Sequence, residues 1–512
     1  MRPDTTHRRF RHLLLAAIAV LLCTSGLVAG VTQPASAAPK PAKVKGVKLK
    51  KPRVDGTTAS FKVKWKRTAR ATSYKVKWKV PGGKARKART GKTSHVIDGL
   101  AQGANYCVKV RAYSGKRKGK WSKQVCRTSA QLAPVQPVWV DRQQPQGGTV
   151  ALTFRWNEVP GATSYELDYV KGEKDIQKQK KKKKTKTVTV GGSGSGVASV
   201  TVPGFEPSAT YCFQVRPSGR RGVGAFGVAG CKYTEPLSRT VGGPLHLNVM
   251  TWNMCTAVCT GDRDWSLRKD AATARIGQIA PDAVATQESG QALDDFDAMP
   301  DYSLACKVGD GAATQPGLPA GAKNQGLLVR DAPDARFDVV AGTANGWRFL
   351  PDNHGGCWVV VEEVANPARR LVLASVHLIQ PAAGSDQLRL DQMSAFWNAL
   401  HADPNTFGLP IVIAGDFNSD RTRPLDGPRV LLNANGYDDA FDVAESYNSL
   451  PYVNSWNNWS IPPPISLRWG AHVDRVFVPP NARVTSWQME QPFAGSLQLS
   501  DHSPVRVTVE IP

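Results

Sequence analysis

Beyond its first 37 residues the chain has no run of about 18 uninterrupted apolar residues, which excludes an ordinary membrane-spanning helix there. It has no second close pair of cysteines or histidines to accompany Cys255 and Cys259, which argues against a thiolate zinc site. Acid is scarce in its front half: residues 1–240 hold 11 Asp+Glu against 48 Lys+Arg, whereas residues 241–512 hold 30 against 19. The net charge of +26 therefore joins a basic half of +37 to an acidic half of −11. That division implies two tasks, attraction of polyanions by the first half and gathering of cations by the second.

What is present begins with a targeting pattern. Arg2, Arg8, Arg9 and Arg11 precede the apolar run Leu13 to Leu22, and Ala35-Ser36-Ala37 offers small residues for cleavage. Residues 1–37 are expected to be a secretory signal peptide, which makes the mature chain extracellular and its remaining eight cysteines candidates for disulfides. Cys107 to Cys126 and Cys212 to Cys231 share a separation of 19 residues, one bridge per repeat. Cys255 with Cys259 and Cys306 with Cys357 is the pairing that remains.

The repeat itself is visible in the aromatics. Trp65 precedes Tyr74 by nine residues, as Trp156 precedes Tyr165, and each copy reaches a Tyr-Cys pair, Tyr106-Cys107 and Tyr211-Cys212, inside an alternating strand. Alternation such as Phe61-Lys62-Val63-Lys64-Trp65 reads as a half-buried strand, and several such strands with one buried Trp and Tyr per copy make a β-sandwich. Residues 43–131 and 132–236 resemble fibronectin type III domains, a likeness that implies fold and says little of function. The second copy is 14 residues longer between the Trp and the Tyr of the Tyr-Cys pair, where Lys178 to Lys186 and a Gly/Ser stretch predict an elongated hairpin loop projecting charge into solvent. Clustered lysines suit a phosphate polymer, but the loop has no interleaved aromatics for stacking on bases.

From Pro244 the pattern becomes mixed α/β. Six predicted strands place a polar group at or beside one end: Asn253, Glu288, His377, Asp416 with Asn418, Asp474, and Asp501-His502. Trp265 to Ile279 reads as an amphipathic helix with Leu267 and Ile276 at helical spacing. Strand ends packed side by side would bring oxygen ligands and two imidazoles to one rim, a donor set that suits Mg²⁺, with Mn²⁺ or Ca²⁺ as alternatives. Phosphodiester hydrolysis needs a cation on the phosphoryl oxygens, a base for water and support for the leaving oxygen. His246, His354, His401 and His472 lack such company and read as structural or exposed; Trp456, Trp459 and Trp469 read as packing residues more than as walls of a cleft.

Gly415-Asp416-Phe417-Asn418 with Ser500-Asp501-His502, taken with Asn253, Gln287-Glu288, His377 and Asp474 in that order, resembles the endonuclease/exonuclease/phosphatase superfamily over residues 244–512. The resemblance implies an α/β four-layer sandwich behind two all-β sandwiches. It implies a metal cradle of Asn253 and Glu288 supported by Asp501. It also implies His502 as general base hydrogen-bonded to Asp474, Asp416 and Asn418 orienting water or leaving group, and His377 as phosphate ligand or acid. Asp416 and His502 both remain candidates for the proton acceptor. Near Asn324 to Leu327, where relatives support the His377 equivalent with Glu or Tyr, this chain has amides. The expected function is a secreted metal-dependent phosphodiester hydrolase, an extracellular nuclease acting on DNA or RNA. The alternatives are a phosphodiesterase on a sphingomyelin-like lipid or small phosphorylated metabolite, and a polyanion-binding adhesive protein with an inactive hydrolase domain. The expected partner is nucleic acid or another polyanion, without stable membrane insertion; a monomer fits this reading, and the sequence leaves oligomeric state open.

Overall fold

The computed structural model describes residues 39–234, 243–256, 258–308, 325–341, 346–352, 354–381, 385–448 and 451–512. The expected signal peptide, residues 1–37, and Asn324 lie outside them.

The two repeats fold alike because the same residues do the same work in each. Trp65 packs edge-on to Tyr74 at 5.3 Å between ring centroids, and Trp156 to Tyr165 at 5.4 Å. The hydroxyls of Tyr74 and Tyr165 accept the N–H groups of Thr68 and Val159, so the nine-residue spacing closes the same turn twice. Those of Tyr106 and Tyr211 likewise accept the N–H groups of Ala101 and Glu206. In the first sandwich, Lys48–Leu49, Arg53–Gly56, Thr58–Lys64 and Ser94–Ala101 face Ser73–Lys79, Arg86–Thr90, Asn105–Ser114, Arg117–Lys118 and Val125–Thr128. In the second, Val138–Gln146, Thr149–Asn157 and Val197–Phe205 face a sheet built on Ser164–Lys171 and Thr210–Gly219. Gly222–Gly224 of the second pairs in parallel with Arg53–Gly56 of the first, so one sheet runs through both.

The lysine-rich insertion is the connection of an antiparallel hairpin, Ser164–Lys171 with Lys186–Gly191, but part of it folds back onto the sandwich. Asp175 caps a short helix, Ile176–Lys181, whose buried Ile176 pins it to the sandwich. Lys180 then reaches back over the sheet to pair with Glu166 and Asp168. A carboxylate pair on the sheet face outweighs the solvation of one lysine in the run; Lys181 to Lys184 stay exposed.

In the last domain two sheets pack face to face. One has the order Tyr302–Val308, Gln325–Arg330, Ala283–Gln287, Leu245–Asn253, Val505–Ile511, Arg483–Met489. The other has Phe337–Val339, His354–Glu363, Asn366–His377, Ile411–Asp416, Asp474–Val478, Asp438–Asp439. Leu247, Val249, Ala285, Val359, Leu373 and Val476 fill the space between them. The outer faces bury Met250 and Trp252 under Lys269–Ile279 and Leu293–Asp297, and Val372 and Ile413 under Ser385–Ala402. The result is helix, sheet, sheet, helix: four layers.

One detail of the first helix departs from expectation. The helix starts at Lys269 after a separate turn, Trp265–Leu267, which swings Leu267 into solvent and Arg268 inward. Arg268 is fully buried and donates to the carbonyls of Met254, Cys255, Arg263 and Leu499. Four backbone acceptors compensate the burial of one charge.

All four cysteine pairs are closed as disulfides, Cys107–Cys126, Cys212–Cys231, Cys255–Cys259 and Cys306–Cys357, which leaves no thiolate there for zinc. No described helix is long and apolar enough to cross a membrane.

Candidate active site

The rim forms because strand direction aligns the polar ends. Asn253 pairs with Gln287 in a parallel register, His377 pairs with Asp416 in another, and Asp416 pairs with Asp474 across an antiparallel one. Three of the four parallel strands, all but the one that ends at His377, then leave their sheet through a left-handed residue: Cys255 at φ 48°, Glu288 at φ 47° and Asn418 at φ 48°. For residues with a side chain this conformation is uncommon and strained, and it turns Glu288 and Asn418 back over the sheet ends.

Asp416 is the hub. Its Oδ2 accepts from Asn253 Nδ2 at 3.0 Å and stands 3.6 Å from His377 Nε2 and 3.9 Å from His502 Nε2. Its Oδ1 accepts the N–H of Asn418 at 2.8 Å. Glu288 Oε1 lies 3.8 Å from the same His377 nitrogen, and Asn418 Nδ2 lies 3.3 Å from it while donating to the Leu378 carbonyl. On the far side His502 Nδ1 meets Asp474 Oδ2 at 2.8 Å.

Burial sets the electrostatics. Desolvation, then the nearby Asp474 charge, pushes the Asp416 carboxyl up to about 7. Burial also works against charge on His502, but the Asp474 carboxylate outweighs it, by attraction and by hydrogen bond, and holds the imidazole up at about 10.

The structure brings Asn253, Glu288, His377, Asp416, Asn418, Asp474 and His502 to one place. Asp501 sits beside them on the Ser500 side, with an oxygen within 4.8 Å of the disulfide sulfurs of Cys255 and Cys259. Of the tryptophans, Trp456 is 47 % exposed and its ring N–H donates to Asp501 Oδ2 at 3.4 Å, so it walls the site. Trp469 is buried beneath Arg421 at the join with the second sandwich. His472 is core, packed on Phe441 and Trp487, and burial drives its pKa down to about 3.

Three contributors received no part in the site from the sequence. Ser455 Oγ accepts the N–H groups of both Val473 and Asp474. Ser500 Oγ donates to the Asn253 carbonyl at 2.6 Å and accepts the His502 N–H at 3.1 Å. His354 is buried and lies edge-on to His377, 4.9 Å between ring centroids. Ser500 stands in the quoted Ser-Asp-His motif, where the sequence reading assigns it no role; Ser455, in an irregular stretch, carried no signal.

The donor set fits a hard divalent cation. Glu288, Asp416 and Asp474 are buried with two imidazoles and two amides, and the nearest strand cation, Arg475, is spent on Asp426 and Asp439. Asp474 Oδ1 is buried without a hydrogen-bond partner. Asn253 and Glu288, with the Asp501 carboxylate beside them, would supply oxygens of the kind that such an ion takes.

The family model for "Endonuclease/Exonuclease/phosphatase family" matches residues 250–502, and that for "Fibronectin type III domain" matches residues 48–127. Only one fibronectin match is found where the sequence suggested two; the second copy is a sandwich in structure and carries the inserted helix Ile176–Lys181. No curated protein matches the chain. Similar solved structures include an endonuclease/exonuclease/phosphatase family protein from Bacteroides thetaiotaomicron, 18% identical, covering 52% of this chain and 98% of that one with TM-score 0.41. A mannosyl-6-phosphatase of the same organism is 17% identical over 51% and 99%, TM-score 0.40. The human Nocturnin catalytic domain is 18% identical over 52% and 94%, TM-score 0.39. Through residues 250–502 the chain belongs to the endonuclease/exonuclease/phosphatase family, with a fibronectin type III domain at residues 48–127 ahead of it.

Proposed function

We propose that this chain is a secreted, divalent-metal-dependent phosphodiesterase that hydrolyses nucleic acid. The observation that carries the chemistry is the hub: one Asp416 oxygen lies within 3.9 Å of Asn253, His377 and His502. The four disulfides and the basic front half favour an extracellular polyanion as substrate.

Asn253 and Glu288, supported by Asp501, would hold Mg²⁺, which when bound supplies charge to the phosphoryl oxygens. Asp416, its carboxyl lifted to about 7, is poised to take a proton from the attacking water near neutral pH. His502 carries a proton that Asp474 stabilises, and can pass it to the leaving oxygen as the phosphorus–oxygen bond breaks. His377 and the Asn418 amide, 3.3 Å apart, would donate to a phosphoryl oxygen. Water thus loses its proton to one residue, and the leaving alkoxide gains one from another.

The test mixes the purified chain with supercoiled plasmid, RNA, sphingomyelin vesicles and a phosphomonoester, each with Mg²⁺ or EDTA. Metal-dependent nicking that falls at least about 100-fold in His502→Ala is expected, in the range of a lost acid–base group. Turnover of lipid or monoester alone would replace the nuclease reading, and no turnover of any substrate would refute the enzyme.

A further inference from the structure

The first sandwich carries a block of cations that its own fold does not explain. In its outer sheet, Lys75 pairs with Arg89 on one side and Arg111 on the other, and Lys77 pairs with Lys87 and Lys109. Those registers put six like charges on one face in two rows of three, ~4.8 Å between strands and ~6.8 Å between rows. Residues 43–131 contain 27 Lys+Arg and only two acids, Asp55 and Asp98, and among the described residues none of the six is ion-paired. Like charges directly opposite each other destabilise a sheet, so folding alone would select against this block.

The second repeat is an internal control. Aligned on Tyr74 and Tyr165, the positions of Lys75 and Lys77 hold Glu166 and Asp168, and those of Arg89 and Lys87 hold Thr189 and Thr187. There the face is neutralised: Glu166 takes Lys180 and Arg216, and Asp168 takes Lys180. One copy of the same sheet pairs its charges within the chain, and the other leaves them for something outside.

We propose that this face of the first sandwich, Lys75, Lys77, Lys87, Arg89, Lys109 and Arg111, binds the phosphate backbone of double-stranded nucleic acid. Its sheet is not the one continued into the second sandwich, and among the described residues its strands pair only with one another. Arg89 lies over Tyr113 at 5.0 Å and Arg111 over Trp121 at 4.4 Å, which holds both guanidiniums in place and covers the rings. A face with charge and no open ring for stacking suits duplex backbone rather than unpaired bases. The choice of nucleic acid rests on the phosphodiesterase reading; the charge block does not.

The experiment measures binding of a fluorescent 30-base-pair duplex by the full chain bearing His502→Ala, in EDTA, across a salt series. The double variant Lys75→Glu, Lys77→Asp copies the second repeat. It is expected to bind at least about tenfold more weakly, with a salt slope shallower by about two at ~0.9 per phosphate contact. Lys181→Glu with Lys183→Glu, on the inserted helix and its exit, is expected to change affinity less than twofold. Unaltered duplex binding in the first variant, or loss only in the second, overturns the proposal. Should the first variant fail to fold, Lys75→Gln with Lys77→Gln is read in its place. An anionic polysaccharide that binds through these residues more tightly than duplex at equal charge overturns the assignment to nucleic acid. The same substitutions in the otherwise native chain should leave turnover of a small phosphodiester intact. Binding without plasmid hydrolysis would sink the nuclease and spare the face; hydrolysis without the face's contribution to binding would do the reverse.

Discussion

Asp474 is held at both ends. Its Oδ2 receives His502 Nδ1 at 2.8 Å, and its backbone N–H donates to Ser455 Oγ at 3.0 Å, an oxygen shared with the Val473 N–H at 2.9 Å. The Ser455 carbonyl in turn accepts the Ser503 N–H, so one serine ties the strand carrying the aspartate to the segment carrying the histidine. Ser455→Ala would strand two buried N–H groups at about 1–3 kcal/mol each before relaxation. Turnover is expected to fall about tenfold with KM little changed, and Ser455→Thr to restore most of it; steady-state kinetics separate this from general unfolding. The dyad also fixes a pH dependence. His502 titrates at about 10 in the folded chain against about 6.5 when unfolded, so it binds its proton more tightly when native. Its contribution to stability is complete below the unfolded value and is lost as pH rises toward the folded one. In EDTA, the fall of melting temperature between pH 7 and 10 should be steeper in the native chain than in Asp474→Asn, where the partner charge is gone.

At the scale of strands and helices, legibility followed regularity. Asn253, His377 and Asp416 end apolar runs, and a run followed by one polar residue marks a strand tip even in a single sequence. Glu288 and Asn418 follow their strands through left-handed residues, a geometry that composition does not announce. Ser455 belongs to a stretch with neither period, and His354 approaches His377 only through the pairing of His354–Glu363 with Asn366–His377. The break in the expected Trp265 to Ile279 helix has the same origin: carbonyls from three separate loops, those of Met254 and Cys255, Arg263 and Leu499, needed a multivalent donor. Only arginine supplies five N–H groups in one planar fork. Arg268→Met removes the fork and leaves those carbonyls bare, an expected loss of ~3–5 kcal/mol by denaturant unfolding. Arg268→Lys, with a single donor centre, should recover only part of it.

At the scale of the molecule, the second sandwich is packed into the last domain as a structural part of it. Gln143, wholly buried, donates to the carbonyls of Asp442 and Ala444, and Lys232 donates to those of Phe441 and Asp442. Trp139 meets Tyr452 at 5.6 Å, and Arg421 lies over both Tyr233 and Trp469. The first sandwich is tied on more lightly, by the short parallel pairing of Arg53–Gly56 with Gly222–Gly224 and the bond from Val54 N–H to the Arg221 carbonyl. Truncation therefore has unequal costs along the chain. A chain starting at residue 132 loses that pairing and the basic face, and should keep its melting temperature within a few degrees together with full turnover of a small phosphodiester. A chain starting at residue 243 uncovers Phe441, Tyr447, Tyr452 and Trp469 and strands the carbonyls that Gln143 and Lys232 satisfied. Losing even ~3 kcal/mol there would lower the melting temperature by roughly 6–12 °C for a domain of this size, and the bare aromatics would promote aggregation. Equal melting temperatures for the two truncations would mean that the second sandwich adds nothing to the hydrolase fold, and that the carbonyls bound by Gln143 and Lys232 are as well served by water.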